Sequence, residues 1–163
     1  MRLCAEDTTS IAVFVNLTPK QPFAHQPTDV EMTIGFIGSK TFHKANLLKE
    51  LLFNVKTSFG PLATIASGGT LEGLESDVKR ISLEFGLIYK EFNPSFTGWN
   101  KYSYLGENYF GKNFHVSHYD DRYKQLVFKV DTLFLGIDGE RDEKYFKKFL
   151  NLAVKKGIKT ILL

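Results

Sequence analysis

Two short segments carry the residues best suited to hold an anion: Gly35-Phe36-Ile37-Gly38-Ser39-Lys40-Thr41-Phe42 and Ser67-Gly68-Gly69-Thr70-Leu71-Glu72-Gly73. Glycines let backbone N–H groups approach a phosphate closely, the hydroxyls of Ser39, Ser67 and Thr70 add donors, and Lys40 adds a full positive charge. Where such a segment closes a strand and opens a helix, the helix dipole places partial positive charge at the same point. Phosphate is the ligand this chemistry favours. Neither segment has the GxxxxGK[ST] order of a P-loop or the GxGxxG order of a dinucleotide fingerprint, so ATP hydrolysis loses weight. A tight strand-to-helix turn that needs glycine for steric reasons is the alternative reading of each.

Glu72, Glu75 and Asp77 follow directly. A carboxylate there can bind a ribose hydroxyl, or serve as general base toward an N-glycosidic bond from the side opposite the departing base. The positive end of a helix dipole accounts for the same acids without any ligand. His115, His118, Asp120 and Asp121 offer H-x-x-H spacing, but with no cysteine beside them and no second cluster they read as polar surface residues, and no metal is expected. Trp99, Tyr102, Tyr104, Tyr109 and Phe110 interleave with Lys101 and Lys112, a mixture that can stack on bases, hold one adenine or pack a subunit contact. With a net charge of only +3, nucleic acid ranks last among these and a lid or homo-oligomer contact first.

The elements that must position these residues alternate from Thr33 onward between short apolar runs and longer segments of helical period, the pattern of parallel strands joined by crossover helices. Strands are expected at Thr33 to Ile37, Ala63 to Ala66, Leu87 to Phe92, Thr132 to Gly136 and Lys159 to Leu162. Helices are expected around Leu47 to Val55, stopped by Gly60-Pro61, and around Leu74 to Phe85, stopped by Gly86. A short one follows near Asp121 to Val130, and a last one carries Phe146, Phe149, Leu150 and Ala153. The lysines of that last helix, from Lys144 to Lys156, read as a solvated face. The fold class is therefore α/β: a Rossmann-like open parallel sheet of five strands with flanking helices. Ligands of such sheets bind beyond the strands' carboxyl ends, which is where both glycine-bearing segments fall.

Residues 1–31, with Pro19, Pro22 and Pro27, form an extension to a domain at 32–163. The apolar run Ile11 to Leu17 fits an added N-terminal edge strand, with a flexible leader as the alternative. At 163 residues the chain suits one core of ordinary size, and 43% hydrophobic and 24% charged residues exclude disorder as its main state. A lone cysteine, Cys4, points to a reducing compartment. No stretch has the form of a signal peptide or approaches a membrane span, so a cytoplasmic location without membrane contact is expected.

Ile34-Gly35-Phe36-Ile37-Gly38-Ser39-Lys40-Thr41-Phe42, then Ala66-Ser67-Gly68-Gly69-Thr70 and the helix reaching Glu84-Phe85-Gly86, resemble the SLOG superfamily of Rossmann-like domains. That superfamily includes the cytokinin-activating LOG enzymes, the DNA-processing protein of bacterial transformation and many small phage and bacterial proteins, and the likeness is greatest to this last group. It covers about Met32 to Leu163. It implies a site for a phosphorylated nucleoside or nucleotide-derived ligand, with Gly38, Ser39, Lys40, Ser67, Gly68, Gly69 and Thr70 at the phosphate end, and Arg122, Gly136 and Asp138 at the loops that close on it.

The departures are specific. Lys40 stands where the family usually has arginine, keeping charge but not the planar fork. Arg122-Tyr123 replaces an R-N pair, Gly136-Ile137-Asp138 lacks the usual G-T, and the P-G-G-x-G-T-x-x-E signature of LOG enzymes is missing. The resemblance thus implies first a binding module, a sensor or sequestering protein in the cytoplasm of a bacterium or phage-infected cell, with no separate cofactor. A nucleoside-monophosphate N-glycosidase using Glu72 or Glu75 comes second. An interaction protein with a degenerate pocket comes third.

Overall fold

The computed structural model describes residues 31–93 and 117–163. Within them lie five strands, β1 (Met32–Gly38), β2 (Ala63–Ser67), β3 (Ile88–Glu91), β4 (Thr132–Gly136) and β5 (Lys159–Leu162), and four helices, α1 (Ala45–Phe59), α2 (Gly73–Glu84), α3 (Ser117–Lys129) and α4 (Glu140–Lys155). The strands form one sheet in the order β3-β2-β1-β4-β5, and every pairing is parallel. The chain thus builds outward from β1 through β2 to β3, then returns to the other side of β1 for β4 and β5. The strand order reverses between β1 and β4, whose carboxyl ends define the crevice where open α/β sheets hold ligands.

The strands' apolar runs are used on both faces. Ile34 and Phe36 of β1 pack with Leu48, Leu52, Leu74 and Val78 of α1 and α2 in one core layer. Ile37 joins Tyr123, Leu126, Phe146 and Phe149 of α3 and α4 in the other. Phe36 and Phe134 stack with centroids 5.1 Å apart, which ties β1 to β4 at mid-strand. At the amino end the same pair of strands is closed by the Asp131 carboxylate, which accepts the Thr33 N–H at 2.7 Å, and by the Asp131 N–H, which donates to the Thr33 carbonyl at 2.9 Å.

Several elements run past or short of their expected edges, among them β1, β2 and α1, which are longer, and two of the differences have a local cause. Leu87 gives its N–H to the Ser82 carbonyl at the close of α2, so the β3 ladder starts one residue later, at Ile88. Helix α3 begins at Ser117 rather than Asp121, because its first turn is polar and shows no apolar period. From Tyr123 onward the expected face holds: Tyr123, Leu126, Val127 and Val130 are all buried. Among the described residues no helix is long and apolar enough to cross a membrane. The extension before Glu31 and the aromatic stretch from Pro94 to Val116, including His115, lie outside the described residues.

The crevice has no side chains of its own at its base. Gly38 and Gly136 are register partners at the ends of β1 and β4, and Leu74, fully buried in the first turns of α2, fills the space over both. A Cβ on Gly38 would collide with Leu74 and lie 2.5 Å from the Gly136 carbonyl oxygen, whereas a Cβ on Gly136 would meet only side chains, none nearer than 3.0 Å. Backbone cannot yield as side chains do. We therefore expect Gly136→Ala to lower unfolding free energy by about 1 kcal/mol and Gly38→Ala by about 3 kcal/mol or more. Urea unfolding with unchanged m-values is the check; equal costs would show that the Gly136 carbonyl is not the limiting contact.

Candidate functional site

Past β1 the chain is riveted to two neighbours. The Ser39 N–H donates to the Gly136 carbonyl at 2.8 Å, and the Ser39 carbonyl accepts from the N–H groups of Phe42 and Leu74, both at 3.3 Å. The buried Ser39 hydroxyl accepts the Asp138 N–H at 3.0 Å. One residue thus joins the loops after β1 and β4 to the start of α2. Gly73, with φ of +66°, lets that start come close: a Cβ there would enter the backbone of Ser39 and Lys40. Lys40 itself is exposed.

The segment after β2 is held from below and from the side. The Ser67 hydroxyl accepts the Gly69 N–H at 3.2 Å and pairs with the Tyr89 hydroxyl at 2.7 Å. Tyr89 donates to the Glu91 carboxylate at 3.4 Å, and Lys79 donates to the same oxygen at 2.6 Å. Since the phenol has one proton and gives it to Glu91, Ser67 is the donor to Tyr89. Burial raises the Tyr89 phenol above its ordinary value, as do the nearby charges of Glu91 and Glu75, while the Ser67 bond pulls the other way. Asn93 completes the support by donating to the Gly69 carbonyl at 3.3 Å.

Thr70 is the junction of the charged residues. Its N–H and hydroxyl both donate to Glu75 Oε2, at 2.9 and 2.7 Å. Arg122 Nη2 donates to Thr70 Oγ1 at 3.3 Å and to the Tyr123 hydroxyl at 2.9 Å, while Nη1 reaches the Gly68 carbonyl at 3.2 Å. Glu75 is 1% and Arg122 7% exposed, so a carboxylate and a guanidinium are buried together. Such groups are tolerated in an interior only when hydrogen-bonded and near opposite charge. Among the described residues, Glu75 Oε1 nevertheless has no hydrogen-bond partner. The Gly68 position is the meeting point, because a Cβ there would lie 3.0 Å from Glu75 Oε2, 3.1 Å from Arg122 Nε and 2.6 Å from the Tyr123 ring. Burial, followed by the Glu75 charge, raises the Tyr123 phenol above its ordinary value.

These supports border a cleft of about 320 Å³ at the β1–β4 crossover. Its lining brings together Gly38 to Thr41 of the segment after β1, Thr70 of the segment after β2, Arg122 and Tyr123 of α3, and Asp142, Tyr145 and Phe146 of α4. Tyr145 donates to Asp120 Oδ1 at 2.6 Å, and the Lys148 ammonium bonds the other carboxylate oxygen while standing 4.4 Å above the Tyr145 ring centroid. Partial burial pushes the Asp120 carboxyl up, but the Lys148 and Tyr145 bonds outweigh it and hold the group below its ordinary value. Burial and then the Asp120 bond push the Tyr145 phenol up. A second, more open depression of about 450 Å³ lies beside it, around Lys40, His43, Glu72 and Asp77 at the start of α2.

Gly38, Ser39, Lys40, Thr70 and Arg122, singled out in the sequence, line the cleft together. Ser67, Gly68, Gly69 and Glu75 are buried immediately behind it as supports, and Gly136 lies under Leu74. Asp138 takes part through its backbone N–H, its side chain being exposed. Glu72 is exposed and belongs to the neighbouring depression. Asp142, Tyr145, Tyr89, Glu91 and Lys79 were not singled out, although Asp142, Tyr145 and Phe146 share the i, i+3, i+4 spacing of one helix face. Among the described residues no three His, Cys, Asp or Glu side chains are grouped to hold a metal. Comparison with protein-family models, curated proteins and solved structures finds no match to this chain.

The junction at Thr70 should be sensitive to chemistry more than to shape. Thr70→Val, which removes the hydroxyl shared by Glu75 and Arg122, is expected to cost about 1–3 kcal/mol of stability, and Thr70→Ser well under that. Equal losses on urea unfolding would assign the effect to the methyl group. Because the folded-state pKa of Asp120 is depressed, its stabilising contribution is present above the unfolded carboxylate value and disappears as pH falls through the folded one. Asp120→Asn should therefore be less stable than the parent at pH 7, with the gap closing below about pH 4. A gap independent of pH would assign the loss to packing.

Proposed function

We propose that this chain binds a phosphorylated nucleoside or a nucleotide-derived ligand in the crossover cleft, as a sensor or sequestering module of SLOG type. The observation that carries the reading is the composition of one cleft, which Lys40, Thr41 and Thr70 line together with an aromatic side chain, Tyr145. A cation and hydroxyl donors suit a phosphate, and Tyr145 suits a flat ring. The cleft volume of about 320 Å³ falls at the small end of the range for organic ligands, about 300–1,000 Å³, in keeping with a mononucleotide. The likeness of the loops after β1 and β2 to the SLOG superfamily supports the same reading.

A second reading, N-glycosidase action on a nucleoside monophosphate, is favoured by one feature. Among the described residues Glu75 Oε1 is a buried carboxylate oxygen without a hydrogen-bond partner, on the carboxylate whose Oε2 accepts from Thr70 at the border of the cleft. A carboxylate oxygen left without a donor accepts from a ribose hydroxyl or a water once the cleft opens to it.

The test is a thermal-shift screen of the purified protein with nucleoside monophosphates, NAD, ADP-ribose and cyclic nucleotides, each mixture then chromatographed for released base. A rise in Tm that grows with ligand concentration and leaves the ligand intact is the expected result. Released base would replace the binding reading by the hydrolytic one. No shift with any of them in a folded sample would overturn both and leave an interaction protein. Lys40→Ala should weaken monophosphate binding about tenfold, the loss of one exposed charge-assisted contact, and leave the Tm of the free protein unchanged.

A further inference from the structure

The cleft is lined by groups of opposite charge from different elements. Lys40 comes from the segment after β1, and Asp142 is the carboxylate that α4 contributes. Asp142 is half-buried, whereas the other acids of the same helical turn, Glu140 and Glu143, face solvent. Its helix position alone accounts for an acid in this turn, but not for the one acid turned into the cleft. A phosphate repels this carboxylate and is drawn to Lys40, so a ligand with one charged and one neutral end has a single favourable orientation. The neutral end then lies against Asp142 and Tyr145.

That end is defined by what the two side chains offer. An ionised carboxylate only accepts hydrogen bonds, so it rewards N–H or O–H donors and penalises a carbonyl placed in the same position. Tyr145 is 39% exposed and is held from behind, by Asp120 through its hydroxyl and by Lys148 over its ring. Its ring also meets Phe146 and Phe149 edge-on, with centroids 4.9 and 5.8 Å away. An aromatic surface fixed in this way contacts a planar group at little entropic cost.

We infer that Asp142 and Tyr145 make this cleft selective for mononucleotides whose base carries an exocyclic amino group, with Tyr145 against the base and Asp142 accepting from the amine. The inference rests on the nucleotide-binding reading above and adds which bases it admits. Uracil and hypoxanthine, which present a carbonyl where cytosine and adenine present the amine, are disfavoured. Asp142 and Tyr145 are specificity-determining residues here.

Dissociation constants for AMP, IMP, CMP, UMP and ribose 5-phosphate, measured by calorimetry on the full chain, provide the test. AMP should bind at least about tenfold tighter than IMP, and CMP than UMP, the contribution of one charge-assisted hydrogen bond. Asp142→Asn, which can both donate and accept, should bring each pair within about threefold without changing the Tm of the free protein. Tyr145→Ala should weaken all four nucleotides and spare ribose 5-phosphate; since it also removes the Asp120 bond, near-UV circular dichroism must first show native packing. Equal affinities within the pairs, or a preference that survives Asp142→Asn, would overturn the selectivity while leaving the binding site standing. Loss of AMP and CMP affinity on replacing them by their 2′-deoxy forms, with equal pairs, would assign Asp142 to the ribose and overturn the inference. Binding of none of the five overturns the selectivity, and the binding reading falls with it only when NAD, ADP-ribose and the cyclic nucleotides also leave the Tm unchanged.

Discussion

The contact on which the site depends is the absence of side chains at Gly38 and Gly136 and the presence of one, Leu74, above them. Parallel strands that diverge at a crossover leave a gap, and something must fill it. Here an apolar residue from the second turn-forming segment does so, which brings the amino end of α2 down onto the end of the sheet. The loops after β1, β2 and β4 are thereby held at one level, and the Ser39 bonds to Gly136, Leu74 and Asp138 keep them there. Gly38 lines the cleft at this edge, and the Leu74 plug does not.

Above the plug the chemistry is layered. A first layer of buried polar groups, Ser67, Tyr89, Glu91 and Lys79 on one side and Glu75, Thr70, Arg122 and Tyr123 on the other, meets its hydrogen-bonding needs mostly within itself. Buried networks of this kind fix side-chain positions closely when satisfied and are costly when not. Among the described residues Glu75 Oε1 lacks a hydrogen-bond partner, while Oε2 of the same carboxylate accepts from Thr70, which lines the cleft. The second layer, Lys40, Thr41, Asp142 and Tyr145, borders the open space of the cleft. Arg122 belongs to the first layer: with Gly68, Thr70 and Tyr123 as partners, it positions the loop.

Much of this arrangement was legible in the residues, and the exceptions have physical causes. The runs of β1, β2 and β4 are apolar because both faces are covered, and that pattern depends on nothing distant. Strand β3 lies at the sheet edge and alternates exposed with buried residues, so its limits are set by the end of α2 rather than by its own composition. The two glycine-bearing loops could be placed at the carboxyl edge because strand-to-helix turns are local. What could not be read was partnership across the chain: Arg122 meets Gly68 54 residues away, and Ser67 meets Tyr89 22 residues away. Tyr145 and Asp142 were hidden for another reason. They sit among the lysines of α4, whose solvated face dominates the pattern, and only the packing of α4 against α3 turns their side of the helix toward the cleft.

The Ser39 hydroxyl and the Asp138 amide are separated by 99 residues. Joining ends so far apart carries a loop-closure entropy that local contacts do not, and contacts of that kind form late in folding. The half of the sheet made by β1, α1, β2, α2 and β3 is contiguous in the chain and can assemble around its own core layer first. The cleft does not exist in that half, since part of its lining comes from α3 and α4. Under the proposed binding reading, competence is tied to completion of the whole domain: a ligand held there would report on the most distant contacts of the chain, and an opening that frees α4 would empty the site together with the second core layer, while the layer around α1 and α2 persists.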